Sequence, residues 1–217
     1  MKNSFLKGMF EKRFFKSDLA IAMVFALLFA IFLNLSVFES RCDSLRNGVL
    51  RLHILANSDS EYDQSIKLKV RDRLLECSKN WFEQSDNKQQ AIEIAEKHMP
   101  QLQAEAEAIL AEENSKQQVK VSIGKAWFNT RKYDNFTLPA GEYDAVRVLL
   151  GNAQGKNWWC VMFPSMCIPA AENKHSLQEA VDGDAARIAN EPENYEIRFK
   201  TIEICEKIIN SLKNAKK

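Results

Sequence analysis

The stretch that decides the fold is Val49–Asp72, "VLRLHILANSDSEYDQSIKLKVRD". Its first eight residues alternate. Leu50, Leu52, Ile54 and Ala56 fall on one side, and Val49, Arg51, His53 and Leu55 on the other, the period of a strand. Both sides are largely apolar, so this strand belongs inside a sheet. The stretch then changes period. Ile66, Val70, Leu74 and Cys77 mark one stripe of a helix, widened by Leu75 and Trp81. Ser58 with Glu61, and Ser60 with Asp63, each offer a cap with an acid three residues on. Only one of the two serines can cap the helix.

Downstream, Ile92, Ala95, Met99, Leu102, Ala106 and Ile109 form an apolar helical seam interrupted by Pro100. The proline either kinks one helix or opens a second in its first turn. "QVKVSIGKAWF" alternates as a strand, "LPAG" signals a turn, and "EYDAVRVLLG" with "NWWCVMF" reads as a hairpin across "NAQGK". "SLQEAVDGDAARIA" suits a loose helix and "NYEIRFK" a last short strand. "TIEICEKIINSLKN" reads as a closing helix with Ile202, Cys205, Ile208, Ile209 and Leu212 inward. The order implies one α+β domain, a mainly antiparallel sheet packed by helices.

Upstream, Leu19–Phe38 carries no charge over twenty residues, about the length that spans a hydrocarbon core. Lys2, Lys7, Lys12, Arg13 and Lys16 precede it against Glu11 and Asp18, which keeps the N-terminus cytoplasmic and places the rest across the membrane. The exit "NLSVFESRC" makes a poor small-x-small cleavage site, favouring an uncleaved anchor over a signal peptide. The expected organisation is a basic amphipathic segment (1–18), a transmembrane or signal-anchor helix in contact with lipid (19–38), a polar connector (39–48) and an extracytoplasmic domain (49–217). A form secreted after cleavage is the alternative.

The 217 residues carry a formal charge of +1, 46% apolar and 27% charged. That is a globular composition with no basic excess to suggest nucleic acid. Five of the 30 basic and two of the 29 acidic residues lie in 1–38, leaving 25 and 27 beyond it. Catalytic patterns are weak. His53 and Ser58 lie near each other in sequence without a nucleophile elbow. His53, His98 and His175 lack metal-ligand spacing, so neither metal nor cofactor is expected. Asp59, Asp63, Glu142 and Asp144 could supply paired carboxylates for an envelope cell-wall hydrolase, and a structural envelope adaptor is a further alternative. Cys160 and Cys167, in "CVMFPSMC", are either a disulfide or two buried thiols. Trp158 and Trp159 face opposite sides of a strand, one towards the core and the other free to anchor a partner.

Two segments, "VLRLHILANSDSEYDQSIKLKVRDRLLE" (49–76) and "LPAGEYDAVRVLLGNAQGKNWWCVMFPSMC" (138–167), resemble the stage II sporulation protein R family of endospore-forming bacteria. The resemblance covers about 49–167, with 170–217 less diagnostic. It implies a signal rather than an enzyme. Such a protein is made in the forespore and exported to the intermembrane space. There it activates a membrane-bound aspartic protease of the mother cell that processes pro-sigma-E. Nucleic acid and small-molecule substrates are not expected partners. Two partner faces follow as expectations. One is the turn and helix, with His53, Asn57, Ser58, Asp59, Asp63, Lys67, Lys69, Arg71 and Asp72. Asn57 and Ser58 are expected to serve the turn itself, while Lys67, Lys69, Arg71 and Asp72 are expected to be exposed. The other carries Glu142, Tyr143, Trp158 and Trp159.

Overall fold

The computed structural model describes residues 2–82, 85–133, 136–164, 177–195, 198–201, 203, 204 and 208, without side-chain detail for 2–17, 20, 178 and 179. The chain divides into two units, residues 1–40 and 41–217.

Helix α1 runs Lys2–Gly48. Its apolar part is long and apolar enough to cross a membrane. Phe25, Phe29 and Phe32 are each more than 60% exposed, a cost in water that lipid would remove. Residues 41–48, expected as a connector, are helical and belong to the second unit. Cys42, Leu45, Arg46 and Val49 are buried there. Their helical spacing was in the sequence, masked by the polar residues between them. Arg46 Nε and Nη2 donate to the Ala140 carbonyl at 3.0 and 2.9 Å.

The second unit is built on a four-stranded sheet. It uses β1 (Leu50–Leu55), β2 (Val119–Phe128), β5 (Gly141–Leu150) and β6 (Asn157–Phe163) in the order β2-β5-β1-β6. β3 (Arg131–Lys132) and β4 (Thr137–Leu138) form a separate two-stranded ribbon. The sheet is mostly antiparallel, with one parallel pair, β1 with β5. The expected β5–β6 hairpin is therefore corrected: β1 lies between those strands. The six-residue linker, 151–156, is short enough to suggest a hairpin, but it reaches across an intervening strand instead of folding back.

The helices α2 (Glu61–Ser78), α3 (Lys88–Lys97) and α4 (Met99–Glu112) cover one face. Pro100 sits in the first turn of α4, so the seam is two helices. Leu50, Leu52, Ile54, Val146, Val148 and Leu150 meet Ile66, Val70, Leu74, Leu102 and Ala106. Each fully buried aliphatic side chain contributes about 1.5–3 kcal/mol. Among the described residues, the opposite face is covered at one end, where Phe128, Tyr143, Ala145 and Val161 pack with Leu45, Val49, Leu138 and residues of α5 (Leu177–Ala180) and α6 (Gly183–Asn190). Residues 192–195 form a 3₁₀ turn and 198–200 are helical, so the described residues of "NYEIRFK" are not in a strand. Ile208, expected inward, is 55% exposed. Ile202, Cys205, Ile209 and Leu212 lie outside the described residues.

Candidate functional site

Asn57–Ser60 joins β1 to α2, and its polar groups are turned inward. Ser60 caps α2, its hydroxyl accepting the Asp63 N–H at 3.1 Å. Asp63 does not complete a capping box. Its carboxylate, 5% exposed, accepts from Ser58 Oγ at 2.5 Å, Asn57 Nδ2 at 2.8 Å and Gln117 Nε2 at 2.5 Å. Burial pushes this carboxyl up, but donation from Ser58, Asn57, Gln117 and Ser60 outweighs it and holds Asp63 below its ordinary value.

The same turn grips the β5–β6 loop. Asn57 Oδ1 accepts the Asn152 N–H at 2.9 Å, and the Asn57 and Ala56 carbonyls accept from Gln154 and Gly155 at 3.2 and 2.9 Å. Asp59 accepts the Lys156 N–H at 2.7 Å. Lys67, expected on the surface, is buried: its ammonium donates to Gln64 Oε1 at 2.5 Å and to the Lys156 carbonyl at 3.1 Å. Two glycines permit this fit. Gly151 has φ +54°, and a Cβ there would stand 2.3 Å from Asn57 Oδ1. One on Gly155 would stand 2.1 Å from the Ser58 carbonyl oxygen.

His53 lies on the sheet face away from α2, so it does not meet Ser58. Its Nε2 donates to Asn157 Oδ1 at 3.1 Å and its ring stacks on Trp159 at 4.3 Å. Burial depresses its pKa, the Asn157 contact opposes this, and the Arg147 and Arg51 charges add to the depression. Arg51, beside it, is fully buried. Its guanidinium lies 3.9 Å from the Phe128 ring centre and 4.8 Å from that of Tyr143, and donates to Tyr133 Oη. Tyr143, expected at a contact face, is fully buried and donates to the Pro139 carbonyl at 2.7 Å. Glu142 and Tyr143, named together for one contact face, point to opposite sides of β5, Glu142 exposed and Tyr143 inward.

The remaining expected residues are dispersed. Lys69 pairs with Glu113 at 2.6 Å and Arg71 with Asp72 at 2.6 Å. Arg71 also covers Trp158 at 4.3 Å, so the two tryptophans do face opposite sides, each half-buried. Glu142 is exposed opposite Trp127. Cys160 is disulfide-bonded, and Cys167 lies outside the described residues. Cys77 is a free thiol, pushed by burial up to about 11.

The two segments that interlock through Asp63, Asn57 and Gly151 fall within residues 46–173, which match the sequence model of "Stage II sporulation protein R (spore_II_R)". The chain belongs to the stage II sporulation protein R family. The Stage II sporulation protein R of Bacillus subtilis (strain 168) is 36% identical over 138 residues, 64% of this chain and 62% of the relative. The chain thus aligns with less than two thirds of that relative's length. No solved structure matches it. The family segment begins near Arg46, so it takes in the end of α1 that packs in the domain. Gln117 and Arg147 belong to the same family segment, and reading the sequence did not single them out. The alternation of β5 placed Arg147 opposite the helix-covered face, which was the available signal.

Proposed function

We propose that this chain is an exported sporulation signal, made in the forespore and held by its apolar helix, that acts by contact. Its partner in this reading is the membrane-bound aspartic protease of the mother cell, which it switches on to process pro-sigma-E. The observation that carries the reading is the family match over 46–173. The apolar run supports an extracytoplasmic domain, since the basic residues precede it. The inward engagement of the turn supports contact over catalysis: the Ser58 hydroxyl and the Asp63 carboxylate serve one another, far from His53's face.

Co-expression of the full chain with the protease and pro-sigma-E in a non-sporulating host tests this. Processing that depends on the chain is expected. It should be lost when Leu27 and Leu28 are both replaced by arginine, each charge costing roughly 2.5–3.5 kcal/mol at mid-span. Absence of processing with the unaltered chain, or full processing by the double arginine variant, overturns the reading.

A further inference from the structure

The half of the sheet face that no described element covers carries a pattern of its own. Register places Ser122, Arg147, His53 and Trp159 in one row across the four strands. The next row towards the open end contains Lys120, Leu149 and Leu55. No strand residue on this face is acidic among the described residues. Both acids of β5, Glu142 and Asp144, fall on the other side, where Asp144 pairs with Lys88 and Lys125. No acidic strand residue faces the Arg147 guanidinium among the described residues, and its Nε is buried without a hydrogen-bond partner. Arg51, held by Tyr133 and by the Phe128 and Tyr143 rings, leaves Nε and Nη1 without one, and His53, neutral with its pKa depressed, leaves Nδ1 as a buried acceptor without a donor. Uncompensated buried cationic groups are costly, and such clustering marks functional surfaces. There is also room. A Cβ added to Gly124, one row behind Ser122, would meet nothing within 4 Å.

We infer that this face is the docking surface for an extended acidic segment of a partner protein. Four strands span about 14 Å, the reach of four or five extended residues. Cationic Arg147 and Lys120 would take carboxylates, while Leu55, Leu149 and the edge of Trp159 would take the intervening apolar groups. A free small anion would not use the apolar half of the pattern. The inference rests on the reading that the domain works by contact, and it names the surface and the chemistry of the partner.

The test uses the full chain in maltoside micelles, with hexaglutamate as probe and hexalysine as control. Hexaglutamate should bind saturably, more weakly as salt rises, and should raise the His53 titration midpoint seen by NMR. Hexalysine should not bind. Gly124→Phe fills the open space, and Arg147→Glu and exposed Lys120→Glu reverse charge. Each should weaken binding at least tenfold with the melting temperature preserved. Failure of the parent chain to bind hexaglutamate overturns the inference. Unchanged affinity in the variants that fold does so too. So does binding that appears only with phosphatidylglycerol vesicles, which would make the face a lipid surface. The assay contains neither protease nor pro-sigma-E, so its failure leaves the proposed activation standing, and the failure of activation leaves this result standing.

Discussion

The turn after β1 and the open face of the same strand lie a few residues apart and are built on opposite terms. In the turn, Asp63 accepts from Ser58, Asn57 and Gln117, and the backbone of 152–156 closes on Asn57, Ala56 and Asp59. On the face, Arg51, His53 and Arg147 keep unpartnered nitrogens. A satisfied buried network rigidifies and specifies a fold. An unsatisfied one costs stability, and each such group calls for an explanation where it stands. The segment that looked most like a site in sequence thus spends its buried polar groups on the fold, while the residues beside it keep nitrogens that no hydrogen bond engages, which is the ground of the docking surface inferred above.

The strongest break of this comparison is Asp63→Ala. It strips three side-chain donors of their acceptor in a buried place, and hydrogen bonds to a charged group are worth about 1.5–3 kcal/mol each. A loss of about 3 kcal/mol or more is expected in chemical unfolding. Because Asp63 sits below its ordinary value when folded, its contribution is present above about pH 4 and disappears as pH falls through the folded value. Asp63→Asn should flatten that acid limb. Asp144, also held low against burial by Lys88 and Lys125, should keep part of it. An Asp63→Ala chain as stable as the parent would show that the network is not what holds the turn.

The two glycines 124 and 151 give the next contrast. Gly151→Val places a branched side chain at φ +54°, against Asn57, and should cost about 1–3 kcal/mol. Gly124→Val enters empty space on a strand and should stay within about 0.5 kcal/mol. Equal melting shifts for the two would remove the distinction between a packed junction and an open face.

The elements themselves were legible wherever one period ran unbroken. The two apolar sides of Val49–Ala56 announced a central strand, and Ile66, Val70 and Leu74 announced the buried stripe of α2. Pro100 marked a helix start. The pairing of β5 was not legible, because what parts β5 from β6 is bonding between the 151–156 loop and residues 56–59, about a hundred positions earlier. The same long-range grip buries Lys67 and consumes Asp59. The inferred docking surface was half seen: His53 and Trp159 were named, but Arg147, their neighbour in the row, becomes visible only when β1 is known to pair with β5.

The serines sharpen the comparison on a smaller scale. The sequence left Ser58 and Ser60 as rival caps, only one of which can cap the helix. In the structure both are engaged, Ser60 as the cap and Ser58 as donor to Asp63 and acceptor from the Ser60 N–H at 3.2 Å. Ser60→Ala should cost about 0.5–2 kcal/mol. Ser58→Ala should cost at least as much, since its partner is a buried carboxylate. A silent Ser58→Ala in thermal unfolding would return it to the status of a spare cap.

The smallest expected effect is a slope. His53 is held below its ordinary value first by burial, then by Arg147 and Arg51, against the hydrogen bond with Asn157. The unfolded chain therefore takes up a proton near pH 6.5 that the folded chain resists. In that window the unfolded state binds more protons, so stability rises with pH, is complete above about 6.5, and declines as pH falls through the folded value. His53→Gln should remove the slope between pH 5 and 7. Arg147→Gln should reduce it, because taking away one positive neighbour raises the folded value towards the unfolded one. Chemical unfolding of the full chain at several pH values measures both. A slope that survives His53→Gln would belong to another histidine. A slope unaffected by Arg147→Gln would mean that burial alone depresses His53, and that the cationic row acts on a partner without acting on itself.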